Sequence, residues 1–313
     1  MTVQLSLRTS NDTFDNRRTR DAAPLTPSSE RRVGQRLLPE RSGAKKFPTF
    51  NLFGIRVQSI TTGEILGIIS EAVRSQAKYV VANHNMHSLY VWHHDSKMRD
   101  FHALADYTHI DGLPLIPLFR LFGFRLKREH RIAYIDFWPV LAREAIEREW
   151  RIYYLGSVPG VAEKGAASLR EQYPGLRLRA HHGYFDTDGA ENEAVLSDIR
   201  AYAPAVLLVG MGMPRQEVWV NDNLDHISAR TIFSCCGCTM DYFAGKIPTC
   251  PRWLGDIGFE WLYRLLTEPG RLWRRYLVEP WFVFGRLINA GIRSSRRLGA
   301  STSITEQRKM TIE

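Results

Sequence analysis

From residue 47 onward, short apolar runs alternate with longer amphipathic stretches. "KYVVAN", "DYTHID", "WRIYYLG", "GLRLRAHHGYF", "AVLLVGMG" and "TIFSCCG" read as strands. "TTGEILGIISEAVRS", capped by Thr61 or Thr62, reads as a helix, as do "MHSLYVWHHDSKMRDFHAL" and "DFWPVLAREAIERE", the last opened by Asp136. "VAEKGAASLREQY", "ENEAVLSDIRAY" and "PRQEVWVNDNLD", with Pro214 in its first turn, complete the helical set. "AVLLVGMG" is apolar throughout, the pattern of a strand buried on both faces. This alternation predicts a Rossmann-like α/β fold, a parallel sheet covered by helices on both faces.

Composition adds boundaries to that picture. The chain has 313 residues, 44% hydrophobic and 24% charged, enough for one large or two small domains. The net charge of +9 sits at the ends. Residues 1–46 hold ten Lys/Arg against five Asp/Glu, and residues 264–298 hold eight Arg against two Glu. The middle is nearly neutral, so an anionic partner is expected at one edge. Residues 1–46 lack periodicity and read as a disordered basic extension. Residues 47–250 read as the α/β catalytic domain, 251–298 as a helical basic and aromatic appendage, and 299–313 as a flexible tail. No apolar run reaches membrane-spanning length, and the start lacks the apolar core of a secretory signal. Four cysteines, three bunched at Cys235, Cys236 and Cys238, make no disulfide framework and fit a reducing compartment.

Ligands of parallel sheets bind beyond the carboxyl ends of the strands. Five such ends carry unusual residues: Asn83, His84 and Asn85; Asp111 and Gly112; Gly156 and Gly160; Gly210, Gly212, Arg215, Gln216 and Glu217; and Gly237 with Asp241. "LGSVPG" and "VGMGMPRQ" each join a strand to a helix N-terminus, where free N–H groups suit a phosphate. Tight turns alone would also need those glycines. Neither loop is GxGxxG or a P-loop. Asp111 ends a buried strand and suits a general base at a cleft floor, although Asp-Gly is also a common turn.

Three patterns weigh less. Asp186-Thr187-Asp188 has metal-nucleotide spacing, but its surroundings read as a polar turn. "CCGC" lacks paired zinc-ligand spacing and fits a buried strand. His84, His87 and His94 share roughly one helical face, with no carboxylate ligand nearby. No metal site and no cofactor are expected.

Read together, "VVANHN", "ADYTHIDGLPL", "HRIAYIDFWPVL", "LLVGMGMPRQEVW" and "GFEWLYRLLTEPGRLWRRYL" resemble the WecG/TagA/CpsF family of bacterial glycosyltransferases, over about residues 50–280. The resemblance extends to members that build xanthan- and acetan-type exopolysaccharides. It implies transfer of a hexose, glucose in a β-1,4 linkage, from a UDP-sugar to a polyprenyl-pyrophosphate-linked sugar, with inversion and without metal. N-acetylmannosaminyl or N-acetylmannosaminuronyl transfer, in teichoic acid or surface-antigen synthesis, is the alternative. Asp111 matches the family base. Asn83-His84-Asn85 matches a Thr-x-Asn motif, with Asn83 in place of Thr. Arg131 and Gln216 match substrate-binding positions, and Asp136 falls among them. Arg264, Arg271 and Arg274, with neighbouring Arg275, match arginines that grip the acceptor pyrophosphate.

The same resemblance gives the arginine-rich end a role. Pro269-Gly270 predicts two short helices folded over the cleft. Trp273, Tyr276, Trp281, Phe282 and Phe284 are expected at lipid headgroup level, and Trp261 and Tyr263 on the core. The implied place is the cytoplasmic face of the inner membrane, with a homo-oligomer compatible. Two other readings fare worse. A nucleic-acid binder would carry its charge beyond the ends and show a helix-turn-helix or stacking motif. A dehydrogenase would show GxGxxG after its first strand.

Overall fold

The computed structural model describes residues 45–234, 237 and 239–288. The expectations for residues 1–44, for Cys235, Cys236 and Cys238, and for residues 289–313 fall outside them. Eight strands are described. A two-stranded antiparallel hairpin, β1 (Thr49–Leu52) and β2 (Ile55–Gln58), precedes a six-stranded sheet. The sheet comprises β3 (Tyr79–His84), β4 (Tyr107–Ile110), β5 (Arg151–Gly156), β6 (Arg177–His181), β7 (Val206–Gly210) and β8 (Thr231–Ser234). Every pairing in it is parallel, in the order β4-β3-β8-β7-β5-β6. The predicted Rossmann-like α/β arrangement is present, and each predicted strand lies in this sheet.

The helices follow from local signals. α1 (Thr62–Ser75) starts at Thr61, whose side chain accepts from the Glu64 N–H while Glu64 returns to the Thr61 N–H. The stretch expected as one helix after β3 is two, α2 (Met86–His94) and α3 (Ser96–Leu104). Asp95 separates them, because its carboxylate caps the Lys97 and Met98 N–H groups. α4 (Leu115–Leu121) follows β4. α5 (Tyr134–Glu147) begins two residues before Asp136, so Asp136 lies inside its first turn and does not open it. α6 (Val161–Gln172), α7 (Ala190–Tyr202) and α8 (Arg215–Asn223) occupy their expected places.

Both faces of the sheet are buried, as the apolar strands require. Along β5 and β7, Tyr154, Val206 and Leu208 join Trp138, Leu141 and Leu169 on one face. Tyr153, Leu155, Leu207 and Val209 join Phe101 and Trp219 on the other. Trp138 and Trp219 are among the largest fully buried side chains. Truncating either to Ala removes about 3–5 kcal/mol.

Beyond β8 come α9 (Thr239–Phe243), α10 (Arg252–Asp256), α11 (Glu260–Thr267) and α12 (Pro269–Trp273). α12 runs through a π turn, Arg274–Val278, into a helical stretch at residues 279–288. The break expected at Pro269 is present, but the second helix is longer than anticipated. The wide turn ends just before Pro280, where the Glu279 N–H bonds back to the Arg274 carbonyl. Proline lacks the N–H that a regular turn would need there. A third cluster, Leu52, Ile55, Leu89, Ile116 and Phe119, receives Val283 from this stretch. Among the described residues, no helix is long and apolar enough to cross a membrane.

Candidate active site

A cavity of about 810 Å³ opens at the carboxyl ends of the strands. Asn85 and Asp111 line it after β3 and β4, Ser157 after β5, Tyr184 after β6, and Gly210, Gly212 and Gln216 after β7. Its far wall comes from α11, α12 and the π turn, through Arg264, Arg271, Leu272, Arg274 and Arg275.

Asp111 is held from three sides. Its N–H bonds the His84 carbonyl at 3.0 Å. Its own carbonyl accepts Arg131 Nε at 3.0 Å. Its carboxylate accepts Asn85 Nδ2 at 3.2 Å. Asn85 caps α2: Oδ1 accepts the Ser88 N–H at 3.0 Å, and the Ser88 hydroxyl accepts the Asn85 N–H at 2.8 Å. With Oδ1 engaged by the helix, the amide NH2 is left to face Asp111. Gly112 permits this approach, since a Cβ there would lie 2.8 Å from Asn85 Cβ.

Several predicted residues stand elsewhere than expected. Asn83 is fully buried in β3, paired in register with His109, and does not line the cavity. Arg131 is a strut outside the lining: Nη2 reaches Glu260 at 3.0 Å while Nε holds the Asp111 carbonyl. Asp136 pairs with Arg252 outside the lining. Gly156 packs in register against Gly210, where a Cβ would lie 2.4 Å from the Gly210 carbonyl oxygen. Gly160, at φ +79°, caps α6 in open space beyond the lining. Arg215 donates to the Phe185 carbonyl at 2.6 Å. Glu217 is fully buried in the first turn of α8. Gly156 and Gly160 thus serve close strand packing and a helix cap, whereas Gly210 and Gly212 line the cavity.

Gln216 does line the cavity, with both ends of its amide engaged. Oε1 accepts the Gly212 N–H at 3.1 Å and Nε2 donates to Glu217 at 2.8 Å. Gly212 sits at φ +88°, a conformation glycine adopts freely. Gln216 thus fixes the shape of the loop after β7.

Charge in the cavity is ordered. Glu260 faces Arg131, Glu268 faces Arg271, Glu279 faces His87 and Asp241 faces Lys246. Arg274 and Arg275 line the cavity without an ion pair to any described residue. His87, Tyr90, Tyr184, Lys246 and Glu279 were not anticipated, and no local sequence signal marks them.

Beneath Asn85 and Asp111 lies a layer of neutral histidines. The His84 and His102 rings stack at 4.0 Å. Burial, reinforced by the His102 and His109 rings, holds His84 well below the usual histidine range. Burial, with Arg56 adding, lowers His102 to about 3, and burial lowers His109 to about 4. His84 lies on β3, not on a helical face with His87 and His94. Asp186 accepts the Asp188 N–H at 3.1 Å, the expected polar turn. Among the described residues, no three His, Cys, Asp or Glu side chains converge as metal ligands.

The aromatics of the C-terminal segment differ in exposure. Trp273, Trp281 and Phe284 are exposed. Phe282 instead turns inward, with its ring 5.7 Å from Tyr90 and 5.0 Å from His93. Trp261, expected on the core, is exposed and meets Tyr276.

A parallel sheet, a polar cavity at its strand ends and an arginine wall suit transfer of a phosphate-activated group. A sequence model described as the glycosyl transferase WecG/TagA/CpsF family matches residues 50–297, most of the chain. The chain belongs to the WecG/TagA/CpsF family of glycosyl transferases.

Proposed function

We propose that this protein is an inverting glycosyltransferase that moves a hexose, glucose on the exopolysaccharide resemblance, from a UDP-sugar to a sugar carried on polyprenyl pyrophosphate. The observation that carries this reading is one cavity holding both an oriented carboxylate, Asp111, and two arginines, Arg274 and Arg275, without carboxylate partners among the described residues. In the reaction, the acceptor hydroxyl oxygen bonds to the anomeric carbon as that carbon's bond to the UDP oxygen breaks. The hydroxyl proton passes to the Asp111 carboxylate, and the bonding pair leaves with UDP. Direct attack inverts the anomeric centre.

Asn85 aims the base through its single amide bond. Arg264, Arg271, Arg274 and Arg275 supply positive charge to pyrophosphate, which planar guanidinium groups match well. Gln216, by setting the loop after β7, shapes the donor side. Exposed Trp273, Trp281 and Phe284 suit contact with lipid headgroups at the cytoplasmic face of the membrane.

The test is transfer from UDP-glucose, UDP-N-acetylmannosamine and UDP-N-acetylmannosaminuronic acid to lipid-pyrophosphate-linked glucose. UDP-glucose is expected to give an inverted product, and Asp111→Asn to cost about 10²–10⁴-fold in turnover with folding retained. Transfer from none of the three donors, or near-normal turnover by the Asn variant, removes the assignment.

A further inference from the structure

Two carboxylates of the C-terminal segment reach the Asp111 loop by separate routes. Glu260, which opens α11, accepts Arg131 Nη2 at 3.0 Å, and Arg131 Nε holds the Asp111 carbonyl at 3.0 Å. Glu279, beyond the π turn, meets His87 Nδ1 at 2.6 Å. His87 stands in the first turn of α2, two residues after Asn85, whose amide holds the Asp111 carboxylate. One route ends on the backbone of Asp111 and the other on its side chain.

Apolar packing already attaches the segment. Leu272 and Val283 are buried, and Phe282 sits among Tyr90, His93 and His94. Such contacts are non-directional. The two polar links add direction, and both are shielded: side-chain exposure is 22% and 14% for His87 and Glu279, and 15% and 33% for Arg131 and Glu260. Shielded, charge-assisted contacts outweigh exposed surface pairs.

We propose that Glu260 and Glu279 are positioning residues that fix Asp111 from two sides, so that turnover requires the C-terminal segment to be seated on Arg131 and His87. This inference rests on the reading of Asp111 as the base. With the segment lifted, the loops after β5 and β7 keep their lining, while the base loses its alignment. Donor binding and catalysis therefore separate.

The test combines turnover with amide hydrogen exchange on the full chain. The variants are His87→Ala, Glu279→Ala, their double, and Glu260→Gln. Each single variant is expected to lower kcat about tenfold, the scale of one coupled contact, with UDP affinity unchanged. The His87/Glu279 double should fall no further than either single. Exchange should quicken at the Ser88, Leu89 and Asp111 N–H groups, which bond Asn85 Oδ1, the Asn85 carbonyl and the His84 carbonyl. Should His87→Ala not fold, the isosteric Glu279→Gln takes its place. Unchanged exchange at these three amides, or a double variant equal to the product of the singles, overturns the inference. If the wild-type protein transfers no sugar, the functional reading fails, and exchange still decides the linkage.

Discussion

The carboxylate of Asp111 accepts a hydrogen bond from Asn85 Nδ2 at 3.2 Å, and the other end of that amide caps α2 through the Ser88 N–H. The helix start thus dictates which face of the amide Asp111 meets. Asn85→Asp keeps a good cap but sets a second carboxylate against the first. We expect thermal stability nearly unchanged and kcat/KM reduced by about tenfold or more. Melting curves and initial rates measured side by side check this, and equal rates would remove the orienting role.

Arg274 and Arg275 line the cavity without carboxylate partners among the described residues, whereas Arg271 pairs with Glu268. Replacing both with Ala should leave the melting temperature unchanged and raise KM for a pyrophosphate-linked acceptor about tenfold or more. Lys replacements should restore this only in part, since an ammonium cannot bind bidentately. A KM unmoved by the double Ala variant would move the acceptor elsewhere.

The buried histidines make stability depend on pH in a definite direction. His102 is lowered to about 3, His109 to about 4, and His84 also lies well below its usual range. An unfolded histidine takes up its proton near pH 6.5, well before these buried ones do. The unfolded state therefore binds more protons below that pH. Stability from this source is complete above about pH 6.5 and is lost progressively as pH falls through about 4 for His109 and about 3 for His102. Each histidine contributes a slope of about 1.4 kcal/mol per pH unit in that window. Urea unfolding at pH 7.5, 6 and 5 measures it, and His102→Leu should flatten the slope by about one histidine's share. An unchanged slope in that variant would show that His102 takes up its proton equally in both states.

Gly156 and Gly160 should respond differently to Ala. At Gly156 a Cβ would lie 2.4 Å from the Gly210 carbonyl oxygen, within paired strands that cannot separate cheaply. We expect a loss of about 3 kcal/mol or more and a distorted loop after β5. At Gly160 there is open space, and only the φ of +79° is strained, worth about 1 kcal/mol. Denaturant midpoints rank the two, and a reversed order would mean that β5 and β7 shift freely.

The sheet was legible because its strands are short, apolar and evenly spaced, and the carboxyl-end rule then pointed to Asn85, Asp111, Gly212 and Gln216. The break at Asp95 was missed although an Asp before "SKM" is a cap signal, because the surrounding apolar period runs across it. Arg131 read as a ligand for substrate, yet it spans from Asp111 to Glu260, a partner 129 positions away. His87 and Glu279 are 192 positions apart, and nothing near either announces the other. Periodicity reports which face of an element is buried. It carries no information on which distant charge that face will meet.

β8 is the last strand of the sheet in the chain, yet it lies in the middle of it, between β3 and β7. Apart from its pairings, β3 and β4 make one parallel pair and β5, β6 and β7 another set, with no described sheet hydrogen bond joining the two. Asn85 and Asp111 follow the first, while Ser157, Gly210 and Gln216 follow the second. Within the described sheet, the two halves of the cavity are therefore hydrogen-bonded to each other only through Thr231–Ser234, so the register of this one short strand sets how far the Asp111 side stands from the Gln216 side.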